Sequence, residues 1–417
     1  MDRDLLERLF HRAVDAALPA HAVAANLPER PAGRTIVIGA GKASAQMAKA
    51  FEAAWDGPID DSLVVTRYGY GADCERIEIV EAAHPVPDMA GFLAARRMLE
   101  KVSGLGKDDL VVALISGGGS ALLPQPAPGL SFEDEQAVNE RLLASGAPIS
   151  AMNIIRNELS AIKGGRLAAH AAPARVATLI VSDVPGDDPA LVASGPTVPM
   201  NAGRIEARHL VTHYRLQLPP AASAVLASDD NPSPLPDDPR LARNTHRIIA
   251  SAALSLDAAA AEGQKAGLNA HILSDAIEGE ARDVGAVHAA IAREIKARNR
   301  PFAMPALVLS GGETTVTIRG DGRGGRNVEF LLAFAIAIEG TEGITALAAD
   351  TDGIDGAGDA GAFADGSSAT RMRAAGIDPR VALANNDAYT AFKAIGGLLV
   401  TGPTGTNVND FRAMIIR

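Results

Sequence analysis

Short, almost continuously apolar runs alternate with longer Ala- and Leu-rich stretches along this chain. In its first half the runs are Thr35–Ile38, Leu63–Thr66, Ile77–Val80, Leu110–Ile115 and Val176–Val181, and the stretches include Ala43–Trp55, Met89–Val102 and Glu133–Ala144. An apolar run of that length predicts a strand buried on both faces, and an amphipathic stretch predicts a helix laid over it. Regular alternation of the two predicts α/β layers around a mostly parallel sheet. The second half continues with helices predicted over His246–Ala266 and Ala281–Arg298, and strands over Ala306–Leu309, Thr314–Ile318, Ile344–Ala348 and Leu398–Val400. Thr314–Ile318 follows its neighbour so closely that a hairpin is expected, which makes the second sheet mixed. Between the halves, Asp229–Pro239 carries Pro232, Pro234, Pro236 and Pro239. Proline at that density continues neither a helix nor an inner strand, so the domain boundary is placed there, with domains 1–236 and 237–417.

The length of 417 residues suits two such domains. Hydrophobic residues make up 47% and charged residues 21%, the balance of a folded chain, but aromatics are only 4%, so Ala, Val, Leu and Ile must build the core. The formal net charge of −11 excludes a general electrostatic footprint for nucleic acid or an anionic membrane, while leaving room for a local basic pocket that takes a small anion. Cys74 is the one cysteine, which rules out an intrachain disulfide and a CxxC metal or redox pair. Met1–Arg12 is charged with no apolar segment behind it, and the run Val328–Ile338 is far too short to span a bilayer. A cytoplasmic metabolic protein, monomeric or homodimeric and acting on a small molecule, is expected.

The polar, Gly-rich clusters nearly all follow a predicted strand: GAGKAS, HPVPD, SGGGS and SDVPGD in the first half, SGGE, DTDGIDG and TGPTGTN in the second. In open α/β sheets ligands bind outside the carboxyl ends of the strands, so two such edges are expected to form a cleft between the domains. In GAGKAS, Gly41 opens a turn, Lys42 adds a point charge and Ser44 enters the first helical turn, a pattern that suits an anion. It is neither a P-loop nor a full dinucleotide fingerprint, and the next strand ends at Thr66–Arg67 without the acid that holds a ribose diol. The glycines Gly117, Gly118 and Gly119, flanked by Ser116 and Ser120, leave backbone amides unshielded and predict a phosphate nest. Asp183, Asp187 and Asp188 lie just past a strand end, where a carboxylate serves as a general base, a metal ligand or a plain turn former. Asp350, Asp352, Asp355 and Asp359 cluster in DTDGIDGAGD, oxygens suited to a hard cation such as Mg²⁺ or, again, to turns. Arg156 and Lys163 are expected on one helix face. Arg326 opens an apolar helix, where the macrodipole disfavours a cation unless an anion pairs with it.

Nests, a lysine, an arginine and clustered aspartates together describe phosphoryl transfer. The chain resembles the class II glycerate kinases (glycerate 2-kinases), a kinase domain followed by a MOFRL domain and often labelled hydroxypyruvate reductase. The likeness rests on VIGAGKAS, AAHPVPD, LISGGGSALL, LSAIKGGRL, SDVPGDD, VASGPTVP, LSGGETTVTIRG, GRGGRNVEFLLA and ADTDGIDG, in that order. It implies a Rossmann-like first domain and transfer from ATP, with Mg²⁺, to the C2 hydroxyl of D-glycerate. By motif, Lys42 would contact the transferring phosphoryl group and Asp183 would take the hydroxyl proton. Arg326 would neutralise the transition state or clamp the glycerate carboxylate. Gly41, Ser44, Ser116, Gly117, Gly118, Gly119, Ser120 and Lys163 would contact nucleotide phosphates, His84 would contact substrate, and Asp352 and Asp355 would hold Mg²⁺. The competing expectation is an NAD(P)H-dependent hydroxypyruvate reductase with His84 as proton donor.

Overall fold

The computed structural model describes residues 2–184, 186–356 and 358–417; Pro185 of the SDVPGDD motif and Ala357 of the aspartate-rich loop lie outside them. The chain forms two compact units, Pro19–Ile249 and Met1–Leu18 with Ala250–Arg417.

The first unit is built on β1 (Thr35–Ala40), β2 (Asp61–Arg67), β3 (Ile79–Ala82), β4 (Leu110–Ser116), β5 (Arg175–Val181) and β6 (Thr245–Ala250). Their order is β3-β2-β1-β4-β5-β6, and β1 to β5 pair in parallel. The parallel sheet is the one expected from the pattern, its order is the Rossmann arrangement that the resemblance implies, and the strand order reverses between β1 and β4. Ile36, Ile38, Val65, Val111, Ala113 and Ile115 are buried beneath Ala94, Ala95 and Met98 of the helix Met89–Val102. Asp88 starts that helix by accepting the Gly91 N–H at 3.0 Å.

The second unit contains β7 (Asn269–Ile272), β8 (Gly279–Glu280), β9 (Ala306–Gly312), β10 (Thr314–Thr315), β11 (Ile344–Asp350), β12 (Gly361–Asp365), β13 (Leu398–Leu399) and β14 (Asp410–Ile416). The sheet runs β13-β12-β11-β14-β9-β7; β14 is antiparallel to both β11 and β9, while β7 is parallel to β9. The sheet is mixed, as expected, but by a different route. The expected hairpin does not form. Gly312, at φ +116°, turns the chain out of β9 where a Cβ would strike Ile277, and β10 pairs in parallel with β8 instead. The helix Arg326–Ala337 is buried on every side from Asn327 to Ala335, as its largely apolar sequence requires, with Asn327 and Glu329 the polar exceptions. The helix Asp2–Ala17 also belongs here: Leu6, Leu9 and Phe10 join Leu307, Leu347 and Phe411 in one core cluster.

Three further expectations are revised. The helix expected from His246 begins at Ala252; the preceding β-branched run is β6, and Ser251 caps the helix that follows. Arg156 and Lys163 do not share a helix, because the helix ends at Glu158. The proline-rich segment, expected to be the boundary, lies within the first unit. Arg204 donates to the carbonyls of Ser228 and Asp230 at 2.7 Å, Arg166 donates to those of Asn231 and Pro232 at 3.0 and 3.1 Å, and buried Glu158 sits beside both guanidiniums. Carbonyls left unpaired by the prolines are thereby satisfied from the interior.

Candidate functional site

In the first unit the loops after β1 and β4 lie against each other at the reversal of strand order. Lys42 N–H donates to the Gly117 carbonyl at 2.9 Å, and Gly41, at φ +139°, leaves no room for a Cβ, which would fall 2.2 Å from Ser116 Oγ. Ser116 Oγ accepts from the Ala43 N–H at 3.0 Å and sits 3.1 Å from Ser44 Oγ. Both serines are fully buried, so their hydroxyls brace the two loops rather than face an incoming group.

Around Gly117–Gly119 the glycine requirement locates its neighbours. A Cβ on Gly117 would stand 1.8 Å from Asp183 Oδ2; one on Gly118 would stand 3.0 Å from His84 Nε2 and 3.2 Å from Lys42 Cε. The loops after β1, β3, β4 and β5 therefore bring Lys42, His84 and Asp183 around one glycine turn. All three are half-buried, within reach of solvent. Burial, then the charges of Lys42 and Arg67, hold the His84 imidazole below its ordinary pKa, so it is neutral at physiological pH. Lys163 has a partner within the protein. It is almost wholly buried and donates to Glu135 at 3.0 Å, a pairing that engages the ammonium within the protein.

In the second unit Arg326 is the first residue of its helix and is held by three carboxylates. Nε donates to Asp410 at 2.7 Å, Nη1 to Glu313 at 2.7 Å and Nη2 to Asp350 at 2.6 Å. These are the anions that its position against the macrodipole calls for. Burial alone would lower the guanidinium pKa, but the Asp410, Asp350 and Glu313 charges raise it. Asp350 and Asp410 are direct cross-strand partners, a repulsive pairing unless a cation bridges it. Burial pushes the Asp350 carboxyl up, with Arg326 pulling the other way. Asp410 also accepts from Asn327 Nδ2 at 2.7 Å and pairs with the buried Arg412. Glu313 stood in a motif and Asp350 in a cluster, but Asp410 was missed. Its signal was faint: an acid and an arginine two apart in an otherwise apolar terminal run.

Asp355 accepts the N–H groups of Asn327 and Val328 at 3.1 and 2.9 Å, one on each oxygen, and so caps the Arg326 helix. Asp352 Oδ1 accepts the Ile354 N–H at 2.8 Å in a turn. Among the described residues no group of three or more His, Cys, Asp or Glu is placed to hold a metal ion. Both Asp355 oxygens are engaged as a helix cap. Burial pushes its carboxyl up to about 6. The folded chain then holds a proton that the unfolded chain releases near pH 4, so this group's contribution to stability falls as pH rises from about 4 to 6. Asp355→Asn keeps one of the two capping oxygens and should remove that decline, worth about 3 kcal/mol. Melting temperatures of the two proteins measured from pH 4 to 7 check it; parallel curves would refute the assignment.

Comparison with known proteins places this architecture. The model of a domain of unknown function, DUF4147, matches residues 5–227, and that of the MOFRL family matches residues 306–410. The chain belongs to the family that joins these two domains, the class II glycerate kinases. It is 39% identical to the D-glycerate 2-kinase of Thermotoga maritima over 98% of this chain and 97% of that one. It is also 53% identical to an Agrobacterium vitis protein provisionally named hydroxypyruvate reductase, over 99% of this chain and 94% of that one. A crystal structure of the Thermotoga maritima glycerate kinase superposes with a TM-score of 0.92, covering 99% of both chains at 39% identity.

Proposed function

We propose that this protein is an ATP-dependent kinase that phosphorylates D-glycerate at its C2 hydroxyl, releasing ADP and 2-phosphoglycerate. The observation that carries the reading is the convergence of Lys42, His84 and Asp183 on the Gly117–Gly119 turn, at the reversal of strand order. Phosphoryl transfer depends on positioning and charge neutralisation more than on covalent help. In this reading the Gly117–Gly119 amides cradle nucleotide phosphates, and Lys42 neutralises charge on the transferring group. Asp183 accepts the proton of the attacking hydroxyl, and neutral His84 donates a hydrogen bond to substrate. For Arg326 the proposed role is pairing with an anionic substrate group, for which the exposed Glu313 is the carboxylate most readily exchanged. Mg²⁺ enters with the nucleotide in this proposal, and no step is assigned to it.

The family's relatives and its solved structure named as glycerate kinases support this reading. Against the reductase name, β2 ends at Thr66–Arg67 and Glu81 Oε1 accepts from the Gly69 and Gly71 N–H groups. Phosphorus NMR on the purified protein with ATP, Mg²⁺ and D-glycerate tests it without a coupling enzyme. A 2-phosphoglycerate resonance that grows with ADP is the expected result. A 3-phosphoglycerate resonance would move the reaction to the other hydroxyl. Unchanged ATP together with NADH oxidation by hydroxypyruvate would replace the kinase with the reductase.

A further inference from the structure

Beside the glycine turn the backbone adopts an uncommon conformation. Ala193, Ser194 and Gly195 are consecutive left-handed residues, at φ 53°, 59° and 56°. Residues bearing a Cβ avoid that region, and they keep it only where the surroundings impose it. Here the surroundings do: Gly164 N–H donates to the Ser194 carbonyl at 3.1 Å and Gly165 N–H to the Gly195 carbonyl at 2.7 Å. The product of this arrangement is the placement of one hydroxyl. Ser194, 2% exposed, points its Oγ at Ser120 Oγ, 2.9 Å away, with Asn153 Oδ1 behind it at 3.3 Å. The same loop supports the glycine turn, since a Cβ on Gly119 would fall 2.7 Å from the Ala193 Cβ. Ser120 itself is half-buried and reachable.

A hydroxyl has one hydrogen to give. If Ser194 spends its hydrogen on Ser120, the shorter of its two contacts, then Ser120 keeps its own hydrogen for an acceptor on the other side. Such a chain polarises each member in turn, which strengthens the outermost donor. We propose that Ser194 is a positioning residue that presets the Ser120 hydroxyl as a hydrogen-bond donor to a phosphate oxygen held at the Gly117–Gly119 turn. The proposal rests on the reading of that turn as a phosphate site and deepens it.

Titration calorimetry of the full-length protein with inorganic tripolyphosphate tests it, using Ser194→Gly, Ser194→Ala, Ser120→Ala and the Ser120→Ala/Ser194→Gly double variant. Glycine is at ease at φ 59°, so Ser194→Gly should keep the fold, with a melting curve as its check. Each single variant should bind tripolyphosphate about five- to tenfold more weakly, the worth of one hydrogen bond. The double variant should bind no more weakly than Ser120→Ala, because both changes remove the same interaction. A purely structural role for Ser194 would not produce that non-additivity. Wild-type affinity in Ser194→Gly, or losses that multiply in the double variant, would overturn the proposal. So would a wild-type protein that does not bind tripolyphosphate. A protein with the expected pattern that leaves glycerate unphosphorylated would uphold the positioning role and remove only the kinase reading.

Discussion

Replacing Lys42 with alanine should lower turnover about 10³-fold while leaving the fold intact, because a cation on the transferring phosphoryl group acts where charge is redistributed. The fold should survive because Lys42 contributes to it through its backbone. Its N–H still reaches the Gly117 carbonyl, and Gly41 and Ser116 still lock the two loops together. The side chain is half-exposed beside His84 and Gly118, so its removal opens space at the surface and not in the core. Steady-state kinetics and circular dichroism together decide the matter. An interaction made mainly in the transition state lowers the turnover number and kcat/KM alike. Near-wild-type turnover with an unchanged spectrum would take Lys42 out of the mechanism.

Asp183→Asn should reduce turnover by about 10²-fold with little change in the KM for ATP, in the range of general-base contributions. The substitution preserves shape, which matters because Asp183 fills the space that a side chain on Gly117 would take. What is lost is the capacity to accept a proton. In a loose transfer the hydroxyl gives up its proton late, so the loss should be smaller than that from Lys42. An effect confined to the KM for ATP would make Asp183 a nucleotide contact instead.

The first sheet was legible because its strands are nearly continuous in apolar residues and each is followed by a glycine-rich turn. The helix Met89–Val102 was expected at the bounds it has. Periodicity does not report which strands pair, and β7, β12 and β14 passed unread. The apparent hairpin failed for the same reason: β10 found its partner in β8, some 35 residues back in the sequence and not in the adjacent strand. At the candidate site, the glycines marked loops that the structure brings together, since a glycine leaves space for whatever lies against it. Polar residues were harder. Ser44 and Ser116 have the chemistry of phosphate donors, yet each is occupied by the other. Lys163 is occupied by Glu135 and Asp355 by a helix end. A sequence gives the valence of a side chain but not the partner that fills it. Arg326 was the exception, because its place on the helix demanded anions before any were seen.

The helix Asp2–Ala17 is synthesised before the Pro19–Ile249 unit, yet it completes a core whose other buried members begin at Leu256. On a ribosome its apolar face must wait while the whole Pro19–Ile249 unit emerges, roughly 10–50 s at ordinary elongation rates. During that interval Leu6, Leu9 and Phe10 have no native partner to cover them. The intervening unit is in effect an insertion, free to fold by itself during the delay. Assembly of the second unit is then a late, long-range closure in which a segment made before the first unit docks onto strands made after it.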